Sequence, residues 1–219
     1  MIIEVPQGYI FSKEGDIIAF EENGKLKLRP WLGKFNEVMY DLTYKLKGNT
    51  RCYYCGKTVE DDNIKLTLDH VYPRALGGPT IPQNLVPSCR SCNGYKENMT
   101  PDQFKAYMSL GDIKRKKEFQ REFFRIKYFQ ERWVHVLPDG WTNKTPICEL
   151  ILLIDLQDTS TSKYRKTREY YLRCGQFRKP IVIDCHNFVL DGFTEVLYAK
   201  NNKIQEIPTI VLENVEVIF

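Results

Sequence analysis

The order of apolar and polar residues divides the chain into stretches of different pattern. Residues 1–30 alternate apolar and polar side chains around turn signals, which predicts short strands or a hairpin. From Phe35 to Leu46 the apolar residues recur at helical spacing, and Gly48 then ends the helix. We expect residues 1–48 to form an N-terminal unit whose helix packs against the segment that follows, at the site formed by the two cysteine pairs described below.

The next stretch combines short strands with helices. Leu66 to Val71 and Asn84 to Val86 have strand patterns, and a helix is expected to begin at Cys92. Thr100 starts a further helix that runs to about Leu110, because a proline at the first helical position and a glutamine at the capping-box position follow it.

A longer helix follows Gly111-Asp112. Its apolar stripe, which includes Phe119, Phe123 and Trp133, predicts contact with the core; a platform for stacked bases is the alternative. The strong turn signal from Leu137 to Gly140 then marks a predicted domain boundary.

Beyond this boundary, strands alternate with helices, so residues 140–219 are expected to form a small α/β domain. The predicted elements are a strand from Ile147 to Ile154, a basic helix from Ser162 to Cys174 closed by Gly175, strands at 181–184 and 187–191, a helix to about Lys200, and strands at 207–212 and 215–219. The chain as a whole is therefore predicted to be α+β. We expect few core contacts to cross the boundary, so that residues 1–137 fold and act without the rest.

Composition and charge narrow the class of protein. Hydrophobic residues make up 42% and charged residues 27%, as in ordinary globular proteins. The first residues lack the pattern of a secretion leader and no apolar run has membrane-spanning length, which predicts a cytoplasmic protein without a membrane partner.

The formal net charge of +4 is unevenly distributed along the chain. Eleven Lys/Arg stand against six Asp/Glu from Arg90 to His135, and seven against one from Lys163 to Lys179, whereas acids outnumber bases six to two after Ile181. This favours a basic face turned toward a polyanion, with solvated helix surfaces as the plainer alternative.

Four of the seven cysteines form the pairs Cys52-x-x-Cys55 and Cys89-x-x-Cys92. Two such pairs supply the four thiolates of a structural zinc site; the alternative is two unrelated pairs of reduced cysteines. Because all four ligands are thiolates, this zinc would hold the fold and leave no position open for catalysis. The other three cysteines are expected to be buried as small apolar side chains.

Asp69 and His70 stand side by side at the end of a predicted strand, inside the segment that the cysteine pairs bracket. Neighbours on a strand point to opposite faces, so one side chain is free to bind a metal while the other reaches a substrate. A strand-end histidine satisfied by its neighbour is the structural alternative. On the following helix, Cys92 and Asn93 diverge by about 100° and are able to face two different sites.

Residues 49–100 resemble the HNH endonuclease family with its ββα-metal fold. The residues that carry the resemblance are Cys52 to Lys57, Asp69 to Arg74, Gly77-Gly78, Asn84 to Val86 and Cys89 to Lys96. It implies that His70 is the general base, that Asp69 and Asn93 are ligands of a catalytic metal, and that Asn84 stabilises the loop and orients the histidine. The third signature position is Asn93 rather than histidine, which makes this an H-N-N variant.

These roles describe a metal-dependent DNA endonuclease acting from a nuclease domain at 49–137. Carboxylate and amide oxygens suit Mg²⁺ or Mn²⁺, and the implied reaction is a single-metal phosphodiester hydrolysis. Arg74, Arg90 and Lys96 are candidate phosphate contacts. Glu97 is a further candidate ligand, although a solvent-exposed glutamate is the favoured interpretation. A non-catalytic zinc module that binds DNA or a protein partner is the competing hypothesis.

Residues 163–217 resemble ParB/sulfiredoxin-like domains through the strand at 181–184, Asp191-Gly192 and the strand at 207–212. Glu195 stands where that family carries an arginine that serves nucleotide or phosphate. We therefore expect a recognition, sensing or partner-docking domain, with a nucleotide or a protein as its partner and the basic helix as its contact surface.

Overall fold

The computed structural model describes residues 8–11, 17–29, 35–130, 140–152, 156 and 159–218. The boundary turn predicted at 137–140, apart from Gly140, and Trp133 lie outside these residues. The described strands are β1 (Tyr9–Phe11), β2 (Ile17–Glu22), β3 (Lys25–Leu28), β4 (Leu66–His70), β5 (Leu85–Cys89), β6 (Asn143–Pro146), β7 (Ile181–Asp184), β8 (Val189–Asp191), β9 (Glu206–Leu212) and β10 (Val215–Val217). The described helices are α1 (Phe35–Lys47), α2 (Val59–Asp62), α3 (Arg90–Lys96), α4 (Pro101–Ser109), α5 (Ile113–Gln130), α6 (Thr161–Cys174) and α7 (Phe193–Asn201).

The described strands form three sheets, and together with the helices they make a mixed α+β protein. One sheet has the order β1-β2-β3-β10, the second is the hairpin β4-β5, and the third has the order β6-β9-β7-β8. The predicted N-terminal hairpin is β2-β3, turning at Asn23-Gly24, where both residues have positive φ. Strand β10 lies parallel to β3, so the C-terminal half of the sequence completes a sheet that the N-terminal residues begin.

The main hydrophobic core joins all three predicted units. Ile81 and Leu85 of the middle segment are fully buried in it, beside Met39 of α1 and Ile210 and Leu212 of β9. The expectation that few core contacts cross the boundary is therefore wrong, because β10 pairs with β3 and side chains of β7 to β10 fill the same cluster. A fragment that ends at residue 137 would leave this cluster without its C-terminal partners.

Helix α1 buries Val38, Met39 and Leu42 in this core, as its apolar spacing predicts. It packs on β5 and on the short 3-10 turn Pro82–Asn84, and the Lys47 ammonium donates to the Leu85 carbonyl oxygen at 2.6 Å. The described contacts of α1 are thus with the main core, β5 and this turn, whereas the four cysteines lie with a separate apolar cluster.

Local sequence signals place several helix ends correctly. Thr100 and Gln103 form a complete capping box at the start of α4, and Gly175 closes α6 with a φ of 69°. Helix α3 begins two residues before Cys92, because the Cys89 side chain caps it by accepting from the Cys92 backbone N–H. Phe119 and Phe123 of α5 face a core cluster, in agreement with the predicted stripe.

The C-terminal half follows the predicted α/β order except at its start. The strand expected from Ile147 to Ile154 is instead β6 at 143–146, followed by a 3-10 turn at 147–149. The polar strand β6 pairs with β9 because Thr145 is buried against Thr209, with their hydroxyl oxygens 2.7 Å apart. Within the described residues, no helix is both long enough and apolar enough to cross a membrane.

Candidate metal centres and active site

The two cysteine pairs meet in space. The sulfur atoms of Cys52, Cys55, Cys89 and Cys92 all lie within 4.8 Å of one another, and those of Cys55 and Cys89 are 3.9 Å apart. A tetrahedral zinc with Zn–S bonds of about 2.3 Å requires sulfur atoms about 3.8 Å apart. The four-cysteine cluster therefore fits the predicted zinc site. Among the described residues, it is the one group of three or more His, Cys, Asp or Glu side chains arranged for a metal.

Tight backbone turns hold these thiols in place. The Cys52 N–H donates to the Lys57 carbonyl oxygen at 2.8 Å, and Gly56, with a φ of 73°, turns the chain back by donating to the Cys52 carbonyl oxygen. Burial works against ionisation of Cys52, but backbone hydrogen bonds with Cys89, Cys55 and Tyr54 lower its pKa to about 7. Burial raises the pKa values of Cys55 and Cys92, so Cys52 ionises more readily than either of them.

Apolar side chains cover three of the four cysteines, Cys52, Cys89 and Cys92, whereas Cys55 is exposed. The covering side chains are Met99, Phe104 and Tyr107, from α4 and the loop before it, and Phe123 from α5. The three remaining cysteines behave differently from prediction: Cys148 is exposed, and Cys174 and Cys185 are half-buried. They lie outside the hydrophobic clusters because their elements turn these positions toward the surface.

The hairpin β4-β5 and helix α3 form a ββα unit directly beside the four-cysteine cluster. Strand β4 runs antiparallel to β5 with His70 opposite Leu85, and α3 packs on both strands. Thr67 and Asp69 occupy the same face of β4, since side chains two positions apart on a strand point the same way. The Asn93 side-chain amide donates to the Thr67 hydroxyl oxygen at 3.0 Å, which brings Asn93 to this face.

Asp69 is buried and already has two protein partners. The Tyr54 hydroxyl donates to its Oδ2 at 2.6 Å, and the Lys96 ammonium lies 3.0 Å from the same oxygen. Lys96 is completely buried and also donates to the His70 carbonyl oxygen at 2.7 Å. The lysine thus joins the aspartate to the backbone of the neighbouring histidine.

The donor atoms that remain on this face are oxygens. Within the described part of the chain, both hydrogen bonds to Asp69 end on Oδ2, and the bond of Asn93 uses its amide nitrogen. Asp69 Oδ1 and Asn93 Oδ1 are therefore the atoms that suit a hard divalent cation, which completes its coordination with water and phosphate oxygens.

His70 occupies the face of β4 opposite Asp69. Its Nε2 lies 3.0 Å from the hydroxyl oxygen of Thr80, a buried residue of the following loop. Burial lowers the pKa of His70 to about 4, and the nearby charges of Arg74 and Lys96 contribute in the same direction. The imidazole is therefore neutral at pH 7, the form that accepts a proton.

Asn84 is fully buried and holds the loop that carries Thr80. Its Oδ1 accepts from the Tyr72 N–H at 2.8 Å, and its amide nitrogen donates to the carbonyl oxygens of Tyr72 and Pro79. Gly78 is required here because a Cβ at this position would overlap the Tyr72 carbonyl oxygen. Asn84 thus ties both ends of the loop that follows His70.

This combination of a four-thiol cluster with a ββα unit is also recognised by comparison with known families. Residues 52–109 match the family model of the HNH endonuclease. The match covers about a quarter of the chain and contains the four cysteines, the hairpin and α3. No curated protein and no solved structure matches the chain. The resemblance proposed from the sequence is confirmed for this HNH segment, residues 52–109, whereas the ParB/sulfiredoxin-like resemblance has no support from these comparisons.

The candidate phosphate contacts of the HNH segment divide into two groups. Arg74 and Arg90 are exposed, as a contact to a polyanion requires. Lys96 is not placed for such a contact, because its ammonium is enclosed between Asp69 and the His70 carbonyl oxygen. Glu97 is exposed at the end of α3.

Three residues that the sequence did not identify contribute to the HNH segment. Thr80 is bonded to His70, Tyr54 to Asp69, and Thr67 to Asn93. Thr67 alone had a local signal, since it stands two positions before Asp69 on the same strand face. Tyr54 and Thr80 reach their partners through the folding of loops, which no spacing rule predicts.

Replacement of Lys96 by methionine is expected to lower the free energy of unfolding by about 3–5 kcal/mol, because removal of one partner leaves the buried Asp69 carboxylate uncompensated. Urea unfolding followed by circular dichroism measures the change, and Lys105→Met, at an exposed position of α4, is the matched control. A loss for Lys96→Met no larger than that of the control would show that the buried pair does not stabilise the fold.

Proposed function

We propose that this protein is a metal-dependent DNA endonuclease that hydrolyses phosphodiester bonds, with His70 as general base and one Mg²⁺ or Mn²⁺ ion. The observation that supports this most is the arrangement of the HNH segment: Asp69 and Asn93 share one face of the hairpin and α3, and His70 stands beside Asp69 on the same strand. A structural zinc in the four-cysteine cluster would hold the unit together.

His70 would take the proton from the attacking water. With Nε2 protonated and donating to Thr80, the lone pair lies on Nδ1, which is then the nitrogen that accepts. The position of Thr80 depends on Asn84, whose three hydrogen bonds fix the loop. Asn84 is therefore a positioning residue in this proposal.

Asp69 and Asn93 would hold the catalytic cation through their Oδ1 atoms. The bound cation would neutralise the charge that develops on the phosphate oxygens and on the leaving oxygen. Lys96 orients Asp69 through Oδ2 and leaves the other oxygen for this task. Arg74, exposed in the connection between β4 and β5, and Arg90, exposed directly after β5, would contact the backbone phosphates of the DNA.

We keep the division into residues 49–137 and 140–219 as a division of roles, although the two parts share one core. The proposed chemistry lies before residue 137, whereas residues 140–219 would serve recognition, with DNA, a nucleotide or a protein as the partner. Support comes from α6, whose lysines and arginines Lys163, Arg165, Lys166, Arg168 and Arg173 are exposed. The core shared by the two parts means that the recognition part also stabilises the nuclease part.

A second candidate is a non-catalytic zinc module that binds DNA or a protein. The Lys96 ammonium beside Asp69 favours it, because a neutralised carboxylate has less attraction for a cation than a free one. Such a module would bind DNA without any dependence on Mg²⁺ and would leave the strands intact.

Nicking of supercoiled plasmid by the purified chain separates the two candidates. Lanes with Mg²⁺, Mn²⁺ and EDTA are compared, and single-stranded DNA and RNA are offered in parallel. The proposal requires relaxed or linear plasmid with Mg²⁺ or Mn²⁺ and none with EDTA. A chain that retards DNA in a gel but leaves every substrate intact in all lanes would be the binding module instead.

A further inference from the structure

A cavity of about 380 Å³ lies where the loop after His70 meets the C-terminal half. Arg74, Gly77 and Thr80 line it from the HNH segment, and Arg178, Lys179 and Asp191 line it from the other side. The two walls are in direct contact, since a Cβ on Gly77 would overlap the Arg178 carbonyl oxygen. The cavity therefore exists only when both halves are folded together.

The charge of the cavity is positive. Lys179 is compensated by Asp191, with 3.2 Å between the ammonium and Oδ2, and more distantly by Glu195. Arg74 and Arg178 are exposed, and among the described residues neither guanidinium has a carboxylate partner. Two guanidinium groups, one from each wall and neither paired with a described carboxylate, form a site for an anion with several oxygens, such as a phosphate group.

Thr80 connects this cavity to the proposed catalytic centre. It lines the cavity, and its hydroxyl oxygen is 3.0 Å from His70 Nε2. Arg74, four residues after His70 in the sequence, lines the cavity as well. A strand that presents one phosphate to His70 would pass its next backbone unit over the cavity.

We propose that this cavity is a phosphate subsite for the DNA strand being cut, with Arg178 of the C-terminal half holding a backbone phosphate next to the scissile one. This inference rests on the proposed nuclease function and adds that the C-terminal half completes the substrate site. A volume of about 380 Å³ accommodates a nucleotide unit rather than a lone ion, since small-molecule sites span about 300–1,000 Å³.

The test compares Arg178→Gln with Arg29→Gln, a matched exposed arginine at the end of β3 that does not line the cavity. Binding to a short DNA duplex is measured in EDTA by fluorescence anisotropy over a salt series. Loss of one phosphate contact lowers the slope of log affinity against log salt by about 0.9. We expect this change for Arg178→Gln, no change for Arg29→Gln, and retention of the slope in Arg178→Lys, which keeps the charge.

Nicking kinetics with Mg²⁺ provide the second measurement. Because Arg178 is assigned to a neighbouring phosphate, Arg178→Gln should raise KM several-fold and leave kcat within about twofold. If the wild-type protein nicks DNA and Arg178→Gln has the same salt slope and the same KM as wild type, the subsite is overturned and the nuclease function still holds. A wild-type chain that neither nicks nor binds DNA would overturn the function itself.

Titration with inorganic phosphate and with adenosine monophosphate distinguishes the source of the phosphate. One outcome would show that the cavity binds a free ligand and that the assignment to the DNA strand is wrong. In that outcome either ligand raises the melting temperature of wild type but not of Arg178→Gln, and the two proteins have the same slope of log DNA affinity against log salt. Competition of both ligands with DNA, lost in Arg178→Gln, would support the assignment.

Discussion

Replacement of His70 by alanine is expected to reduce the rate of DNA cleavage by about 10²–10⁴-fold, the contribution of a positioned general base. The neutral imidazole is the proposed acceptor of the proton from water, and alanine has no group to replace it. The rate of conversion of supercoiled to nicked plasmid under saturating Mg²⁺ measures the effect. His186→Ala, which removes an exposed histidine of the C-terminal half, is the matched control.

The same His70→Ala protein should keep its zinc content, its melting temperature close to the wild-type value, and its affinity for DNA. These readouts separate loss of the base from loss of the fold, because among the described residues the substitution removes a single side-chain hydrogen bond of His70, the one to Thr80. Cleavage by His70→Ala within a few-fold of the wild-type rate, in a folded protein, would sink the proposed mechanism.

Replacement of Cys89 by serine is expected to remove the zinc and to unfold the HNH segment. Cys89 is both a proposed zinc ligand and the N-cap of α3, and it lies in the apolar cluster with Met99 and Phe104. Structural zinc sites contribute apparent binding free energies of about 10–16 kcal/mol, which is comparable with the entire stability of an ordinary domain, about 5–15 kcal/mol.

Metal analysis of the purified protein and its thermal unfolding measure this loss. Wild type should contain one zinc per four-cysteine cluster, and Cys89→Ser none, with no cooperative transition for the HNH segment. The control is Cys148→Ser, which changes an exposed cysteine and should leave both readouts unaltered. A Cys89→Ser protein with full zinc content and the wild-type melting temperature would show that the four thiols do not form the structural site.

The sequence predicts those parts of the site that short-range rules determine. The spacing of the cysteine pairs gives the four-cysteine cluster, because each Cys-x-x-Cys turn places two thiols together regardless of the rest of the fold. The capping box at Thr100 and the glycine at 175 similarly fix helix ends through bonds within a few residues. The opposite faces of Asp69 and His70 follow from strand geometry.

Contacts between distant segments had no such signal. A lysine is expected at the surface, yet Lys96 is buried because Asp69, on another element, compensates its charge. The pairing of β10 with β3 joins residues from opposite ends of the chain, so the turn before residue 140 suggested a division that the shared core does not respect. The cavity at Arg178 depends on this same long-range packing.

The misplaced strand at 147–154 has a related cause. The apolar run predicts a strand, but Ile147 and Leu150 pack into the second core cluster from a 3-10 turn and the residue that follows it. The edge strand is the polar segment before it, because its backbone lies next to β9 and Thr145 finds a hydrogen-bond partner there. Apolar periodicity reports burial, and burial alone does not distinguish a strand from a turn that is packed on a sheet.

The central claim is that a cation between Asp69 and Asn93 serves cleavage by the HNH segment. The most direct test measures how plasmid nicking depends on the Mg²⁺ concentration, for wild type and for Asn93→Ala. Asn93→Ala should raise the Mg²⁺ concentration for half-maximal nicking by about tenfold or more, and its zinc content should be unchanged. Asn93→Asp keeps an oxygen ligand, so its Mg²⁺ dependence should remain close to that of wild type. Nicking by wild type in EDTA, or the same Mg²⁺ dependence in Asn93→Ala and wild type, would contradict the claim.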